Sequence, residues 1–299
     1  MNIFVIGGLC TDSVIRVNKL PEPKEQTIFS KKFFESIGGT GAIKSLNLSR
    51  LGFKVTFHSQ IGNDKYLNFY KKYFSKNRIK FIPHIEKSET EKHVNIVDDD
   101  GNRVSIYAIY SSFNPEINYS KIEKEIKKAD IIALNIINYC RNIIPLAKKY
   151  NKPIWCDIHD YDGNNDYHKD FINTANVIFM CSSGLNNWKD FMISMIDQGK
   201  DFVVCTHGKN GVSAFNKNKE WITLPVIEEY SNNFVDSNGA GDSFFAGFLY
   251  GFCKGLKLKE CLKYGTINGG LCVTTEKPFY EKLSVDMIET EFKKYFINN

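Results

Sequence analysis

Short runs of β-branched and aromatic residues alternate with helix-like stretches along most of this chain of 299 residues. The runs predict buried strands, and their alternation with helices is typical of βαβ units in an α/β fold with a mostly parallel sheet. The predicted strands cover 3–8, 54–62, 131–136, 153–158, 176–181 and 202–208, and the predicted helices cover 41–51, 64–77, 120–128, 141–150, 186–198 and 239–254.

Two segments, about 13–36 and 92–112, interrupt this alternation. The second contains "DDDGN" at 98–102, which supplies turn residues between two strands of alternating polarity and so predicts a hairpin. Antiparallel pieces do not fit inside a parallel sheet. We therefore expect the two segments to form a small β-sheet lid that projects from a single domain spanning residues 1–299.

The bulk composition excludes several classes of protein. The net charge of +5 is spread along the chain, whereas nucleic-acid binding would call for a concentrated basic stripe. No apolar run is long enough to span a bilayer, and "MNIFVIGGLC" reads as a first strand rather than a signal peptide. The eight cysteines form no C-x-x-C pair, which favours free thiols in the cytoplasm over zinc sites or disulfides.

The segment "DSNGAGDSFFAGF" at 236–248 carries the main chemical hypothesis. The apolar run after Asp242 predicts a buried helix, whose first turn presents unpaired backbone N–H groups and the positive end of the helix dipole. Gly239, Ala240 and Gly241 leave room for a phosphate to approach those groups. Asp242 is then a candidate general base, and the alternative is a simple turn in which Asp242 caps the helix.

Two further glycine-rich segments precede or follow predicted elements. "GGTGA" at 38–42 opens a helix, and "CTHGKNG" at 205–211 follows a strand in a tight loop suited to nucleotide phosphates or ribose. Each segment alone is equally compatible with an ordinary turn. Neither the P-loop pattern nor the dinucleotide fingerprint is present in the chain.

Taken together and in order, these motifs resemble the ribokinase-like family, also called the pfkB carbohydrate kinases, over nearly the full length. The resemblance includes "IGGLCTD" at 6–12, "IGGTGAIKSLNLSRLG" at 37–52 and "QIGNDKYLNFY" at 60–70. It also includes "THGKNG" at 206–211 and the long signature at 236–248, where Ser237 replaces the usual threonine.

The resemblance implies ATP and Mg²⁺ as cofactors and a ribokinase-like fold with a central, mostly parallel sheet. It implies that Asp242 is the general base and that Gly239, Ala240 and Gly241 stabilise the γ-phosphoryl group in transfer. The implied nucleotide contacts are Thr206, Gly208, Gly211 and either Thr266 or Asn268. The implied substrate contacts are Asp12, Gly38, Gly39, Thr40 and the position of Ile43.

Three departures from the family pattern affect the expected function. Ile43 stands where many sugar kinases have an asparagine, so an apolar part of the substrate, such as a base, is an alternative to a simple sugar. The segment 181–187 has no glutamate where the family has N-x-x-E, and no residue is assigned to a metal. Residues 273–284 lack the glycine expected at the monovalent-cation site, which argues against potassium dependence.

We therefore predict an ATP-dependent kinase that phosphorylates a hydroxyl group of a small sugar. A nucleoside kinase of the same family resembling adenosine kinase is one alternative, and a catalytically weak sugar- or nucleotide-binding protein is another. The expected partners are small molecules, with no nucleic acid and no membrane. The alternating apolar residues of 94–110 would permit a homodimer through the lid.

Overall fold

The computed structural model describes residues 1–297, which form two sheets and the helices that flank them. The strands are β1 (Asn2–Ile6), β2 (Cys10–Arg16), β3 (Lys32–Gly38), β4 (Lys54–Gly62), β5 (Ile79–Glu86), β6 (Lys92–Val97), β7 (Arg103–Ile109), β8 (Ile131–Asn135), β9 (Ile154–Asp157), β10 (Val177–Cys181), β11 (Phe202–Thr206), β12 (Val212–Asn216) and β13 (Trp221–Leu224). The helices are α1 (Thr40–Arg50), α2 (Lys65–Lys76), α3 (Ser120–Lys128), α4 (Ile144–Lys149), α5 (Lys169–Thr174), α6 (Trp188–Asp197), α7 (Glu228–Asn232), α8 (Ala240–Cys253), α9 (Leu258–Val273) and α10 (Val285–Phe296).

All six predicted strands and all six predicted helices are present, with bounds that differ by at most three residues. The largest difference is at α4, because 138–143 form a 3-10 helix before the α-helix begins. The sequence did not reveal β5, whose "IKFIPHIE" contains Pro83. Proline is tolerated in a strand at the edge of a sheet, and β5 is the edge strand beside β4.

The large sheet has the order β13-β12-β11-β10-β9-β8-β1-β4-β5. The strands from β11 to β5 pair in parallel, while β12 and β13 add an antiparallel edge. Side chains of β1 alternate between two cores: Ile3 and Val5 pack with α1, α2, α8 and α9, whereas Phe4 and Ile6 pack with α3 to α6. The predicted ribokinase-like α/β architecture is confirmed.

The small sheet has the order β3-β2-β6-β7 and contains the segments predicted as a lid. The predicted hairpin is β6–β7, and its turn is held by Asp98, whose Oδ1 accepts the backbone N–H of Asn102 at 2.8 Å. β2 begins at Cys10, three residues before the predicted start of the lid, so the chain enters the small sheet soon after it leaves β1.

Two expectations from composition can be compared with the structure. Among residues 1–297, no helix is long and apolar enough to cross a membrane. The eight cysteines are free thiols, and six of them are buried.

His58 lies on β4 inside the large sheet and is almost completely buried. Its Nδ1 lies 2.6 Å from the backbone oxygen of Ile82 on β5, and within the described residues its Nε2 has no hydrogen-bond partner. Burial penalises the imidazolium form and lowers the pKa of His58 to about 4. The folded protein therefore holds this histidine neutral at pH values where the unfolded chain takes up a proton.

We predict that the free energy of unfolding falls by about 3 kcal/mol from this group as the pH drops from about 6.5 to 4. The loss has this sign because the unfolded state binds more protons than the native state throughout that window. Denaturant titrations at several pH values should show that the free energy of unfolding falls less on acidification for His58→Gln than for the wild type. His84→Gln, on the partly exposed neighbouring strand, is the control, and an unchanged slope in His58→Gln would contradict the assignment.

Candidate active site

A cavity of about 370 Å³ opens at the carboxyl ends of β1, β8 and β9, beneath the small sheet. Ligands of open α/β sheets bind at this edge, because the loops that leave the strands diverge there. The cavity is lined by Gly8, Asp12, Gly38, Gly39, Thr40, Ile43, Glu91, His93, Asn95, Arg103, Ser105, Tyr107, Ile136, Ile137, His159, Asn238, Gly239, Asp242 and Pro278.

The cavity brings together two groups of residues that are about 200 positions apart in the sequence. The candidate substrate contacts Asp12, Gly38, Gly39, Thr40 and Ile43 all line it, and so do Gly239 and Asp242. A ligand bound against the first group would therefore lie beside the first turn of α8.

The start of α8 has the backbone geometry of an anion site. Gly239 adopts φ +75°, and a Cβ at this position would lie 2.0 Å from the backbone oxygen of Pro278, so only glycine fits. Within residues 1–297, the N–H groups of Gly241 and Asp242 have no protein acceptor, as expected for the first turn of a helix. A Cβ on Gly241 would meet no atom within 4 Å, so the protein leaves open space beside this turn.

Lys44 is the centre of a buried ionic cluster at the floor of the site. It lies on α1, and its side chain is only 1% exposed. Its Nζ donates a hydrogen bond to Oδ1 of Asp242 and lies 3.3 Å from Oδ2 of Asp157 at the end of β9. Asp157 also accepts the backbone N–H of His159 at 3.0 Å. The cluster thus joins α1, β9 and α8.

The protonation of this cluster follows from burial and from the neighbouring charges. Burial raises the pKa of Asp242, and Lys44 opposes that shift. Burial would also raise the pKa of Asp157, but His159 and Lys44 outweigh it, so the net pKa is lowered. Burial would lower the pKa of Lys44, but the two carboxylates outweigh it and raise the pKa. Lys44 is therefore the main group that favours the ionised form of Asp242, with a smaller effect of His159 in the same direction.

Asp12 forms the opposite wall of the cavity. It is buried on β2, and a Cβ on Gly38 would lie 2.4 Å from its Oδ2, so the glycine of β3 makes the room that this carboxylate needs. Burial raises the pKa of Asp12, while Cys10, His93 and Arg103 oppose the shift. Together with Asn95 and Ser105, these side chains give the small sheet a polar inner surface.

Two ion pairs fasten the small sheet to the loops around α8. Arg16 on β2 lies 2.6 Å from Asp236, whose other oxygen accepts the backbone N–H of Asn238 at 2.9 Å. Lys32 on β3 lies 2.5 Å from Glu276, two residues before Pro278. The small sheet is therefore linked to the segment that leads into Gly239.

The candidate nucleotide loop lies at the same edge of the large sheet. Thr206 ends β11, and the turn that follows it is closed by the N–H of His207 donating to the backbone oxygen of Gly211 at 2.8 Å. One strand, β10, lies between β11 and β9, so these two strands are about 10 Å apart. Thr206, Gly208 and Gly211 do not line the cavity, but the loop lies along the edge that continues from it.

The two alternatives for the adenine side are in different environments. Asn268 is completely buried, and its side-chain amide donates to Oδ1 of Asn47 and to the backbone oxygen of Ser243. These bonds give Asn268 a packing role between α1, α8 and α9. Thr266 is partly exposed, and within the described residues its hydroxyl oxygen is buried without a partner.

Sequence reasoning missed Lys44, and it missed the contribution of β6 and β7 to the cavity. Lys44 had one usable signal: it is the only charged residue among the first ten positions of α1, which are otherwise apolar, small or polar but uncharged. A lysine in such a buried helix needs an anionic partner. Arg103 and His93 had no comparable signal, because their position at the cavity depends on how the small sheet folds over β1.

Comparison with known proteins agrees with this geometry. The pattern of the pfkB family carbohydrate kinases matches residues 1–280. An acarbose 7(IV)-phosphotransferase from an Actinoplanes species is 24% identical, with 91% of this chain and 92% of the relative covered. A nucleoside kinase from Methanocaldococcus jannaschii is also 24% identical, with 94% of this chain and 95% of the relative covered.

Among solved structures, a microbiome-derived acarbose kinase superimposes with a TM-score of 0.87 at 25% identity, covering 97% of both chains. The sequence match and the common fold both extend over almost the whole chain. The protein therefore belongs to the pfkB family of carbohydrate kinases and is an ATP-dependent phosphotransferase with an alcohol group as acceptor.

Proposed function

We propose that the protein phosphorylates a hydroxyl group of a small sugar bound in the cavity, with Asp242 as the general base. The observation that carries this proposal is the shared cavity, in which Asp12, Gly38 and Gly39 face Asp242 and Gly239. A sugar whose other hydroxyl groups donate to Asp12 can place its acceptor hydroxyl beside the Asp242 carboxylate. Asp242 then takes the hydroxyl proton as the oxygen attacks phosphorus.

The backbone at the start of α8 would stabilise the charge of the transferring phosphoryl group. In the turn formed by Gly239, Ala240 and Gly241, the N–H groups of Gly241 and Asp242 are unpaired within residues 1–297 and lie at the positive end of the helix dipole. Phosphoryl transfer depends mainly on positioning and electrostatics, and this backbone requires no rearrangement to supply them. Thr206, Gly208, Gly211 and Thr266 would border the nucleotide.

The small sheet would act as a lid over the acceptor within a single domain of residues 1–299. Its segments, about 13–36 and 92–112, supply the polar side chains above the cavity, and closure would exclude water from the site. Dimerisation through the lid and a cytoplasmic location stay predictions.

The two carboxylates at the floor of the site are not a free pair for Mg²⁺. Asp157 and Asp242 are bridged by Lys44, and residues 181–187 contain no carboxylate. Mg²⁺ binds proteins through one or two carboxylates together with substrate phosphates. Mg²⁺ would therefore enter with the ATP phosphates and not on a protein site of its own.

The lining of the cavity favours a sugar but contains one feature that favours a nucleoside. Asp12, Asn95 and Ser105 offer the donors and acceptors that a polyol requires. Ile43 and Ile136, however, form an apolar strip on which a base or another apolar group could lie. The polar groups in the lining outnumber the apolar ones, which favours a sugar. The relatives include both a kinase of a sugar derivative and a nucleoside kinase.

A panel of acceptors with coupled detection of ADP tests the substrate class. It should contain monosaccharides, acarbose and ribonucleosides, each at the same concentration and with ATP. We predict turnover with at least one sugar because hydroxyl groups match the polar lining. Turnover with ribonucleosides alone would overturn the choice of a sugar, and no turnover with any acceptor would favour a binding protein.

Asp242→Asn should lower kcat by about 10²-fold or more, because it removes the proton acceptor while keeping the shape of the side chain. ATP binding, measured by calorimetry, should persist. Asp190→Asn is the matched control, since Asp190 is an exposed acid in the first turn of α6. Wild-type turnover in Asp242→Asn would refute the role of this residue.

Lys44→Met should move the acid limb of the kcat/KM profile to higher pH and lower the plateau. The shift has this direction because Asp242 loses the cation that opposes the effect of burial on its pKa. Lys44→Arg retains the charge and should shift the limb less. Chemical denaturation of each variant separates this effect from lost stability, and a limb that stays at the wild-type pH in Lys44→Met would contradict the positioning role.

A further inference from the structure

We propose that Cys10, Asp12 and His93 form a binding site for a thiophilic divalent cation such as Zn²⁺ in the wall of the cavity. The bound ion would compete with the acceptor sugar for Asp12. The metal site stands on its own geometry, whereas the competition rests on the proposed function.

The backbone of the small sheet places the three side chains on one face. Cys10 and Asp12 are separated by two positions on β2, so both point to the same side of the strand. β6 pairs with β2 in parallel, and Asp12 is in register with His93. This arrangement needs no C-x-x-C motif, which explains why cysteine spacing alone argued against zinc.

The three potential ligand atoms lie at the corners of a nearly regular triangle. Sγ of Cys10 is 3.2 Å from Oδ1 of Asp12 and 3.5 Å from Nδ1 of His93, and Nδ1 is 3.5 Å from the same Oδ1. A tetrahedral zinc ion with ordinary bond lengths separates such ligands by about 3.4–3.6 Å. An ion slightly out of the plane of the three atoms can lie about 2.0–2.1 Å from Nδ1 and Oδ1 and about 2.3 Å from Sγ, which are the normal bond lengths of zinc.

Glu91 completes the site as an outer partner of the histidine. Its Oε1 lies 2.9 Å from Nε2 of His93, and its Oε2 accepts the backbone N–H of Ser111 at 3.2 Å. Nε2 therefore carries the proton that is donated to Glu91, and Nδ1 presents its lone pair to Cys10 and Asp12. A carboxylate that orients a metal-binding histidine in this way is a regular feature of zinc sites.

The donor set determines which ions would bind. A thiolate and an imidazole favour Zn²⁺ or Co²⁺, whereas Mg²⁺ prefers oxygen ligands alone. On binding, the thiol of Cys10 releases its proton to the buffer and its sulfur donates an electron pair to the ion. Asp12, Glu91 and His93 line the cavity, so an ion reaches the site from there, and its fourth position faces the space proposed for the sugar.

Titration of the full-length, metal-free protein with Co²⁺ tests the site without any measurement of activity. We expect one equivalent to give the near-ultraviolet thiolate-to-cobalt absorption and the visible bands of tetrahedral cobalt. Zn²⁺ should abolish both signals, and excess Mg²⁺ should not. Cys10→Ser should lose the thiolate band, whereas Cys253→Ser, which alters a half-buried cysteine of α8, should keep it. Glu91→Gln should weaken Co²⁺ binding by about 10- to 100-fold.

Absence of the thiolate band in the wild type, or its persistence in Cys10→Ser, would overturn the metal site. Circular dichroism of Cys10→Ser verifies that the variant is folded. With a sugar found in the acceptor panel, Zn²⁺ should raise the KM for that sugar in the wild type and not in Cys10→Ser. If the panel finds no sugar, the proposed function fails, but the Co²⁺ titration still decides the metal site.

Discussion

The bridge from Lys44 to two carboxylates is the interaction on which the site depends. Moving a charge out of water costs several kcal/mol, so a buried lysine persists only with well-placed anions. Here the anions come from β9 and α8, and the lysine comes from α1. The same contact therefore fixes three elements of the site relative to one another and favours the ionised form of Asp242.

The first turn of α8 places backbone N–H groups, at the positive end of the helix dipole, next to the carboxylate of Asp242. Its open amides would attract phosphate oxygens, whereas an ionised Asp242 would repel them. Lys44 reduces that repulsion because it lies directly against the carboxylate. In the proposed mechanism, Asp242 could thus remain charged next to the phosphates of ATP, which is the electrostatic difficulty that any alcohol kinase has to solve.

The small sheet contributes to the chemistry of the cavity as well as covering it. Its strands carry Asp12, Asn95 and Arg103 to positions above the end of β1, and Arg16 links the same sheet to Asp236, which precedes α8. A movement of this sheet would therefore also displace the backbone that leads to Gly239. If the cluster of Cys10 and His93 binds a metal ion, the same strands would also connect metal binding with acceptor binding.

Local patterns were sufficient to predict most of the large sheet and the glycine-rich ends of its helices. The long signature at 236–248 predicted both α8 and the acid in its first turn, because the run of buried aromatic residues and the left-handed Gly239 are local requirements. Prediction failed where local signals conflict with context, as for Pro83 in β5. The sequence did not decide between Thr266 and Asn268 as the contact on the adenine side. The buried hydrogen bonds of Asn268 could not be inferred from the spacing of the motif.

The sequence by itself determined the α/β fold, the hairpin of the small sheet and the identity of the candidate acid. Only the tertiary structure decided what surrounds that acid: Lys44 lies 198 positions before Asp242 and 113 before Asp157. The physical reason is that periodicity and turn residues encode interactions over a few positions. Contacts between distant segments depend on the order of the strands and on helix packing, which no short stretch of residues contains.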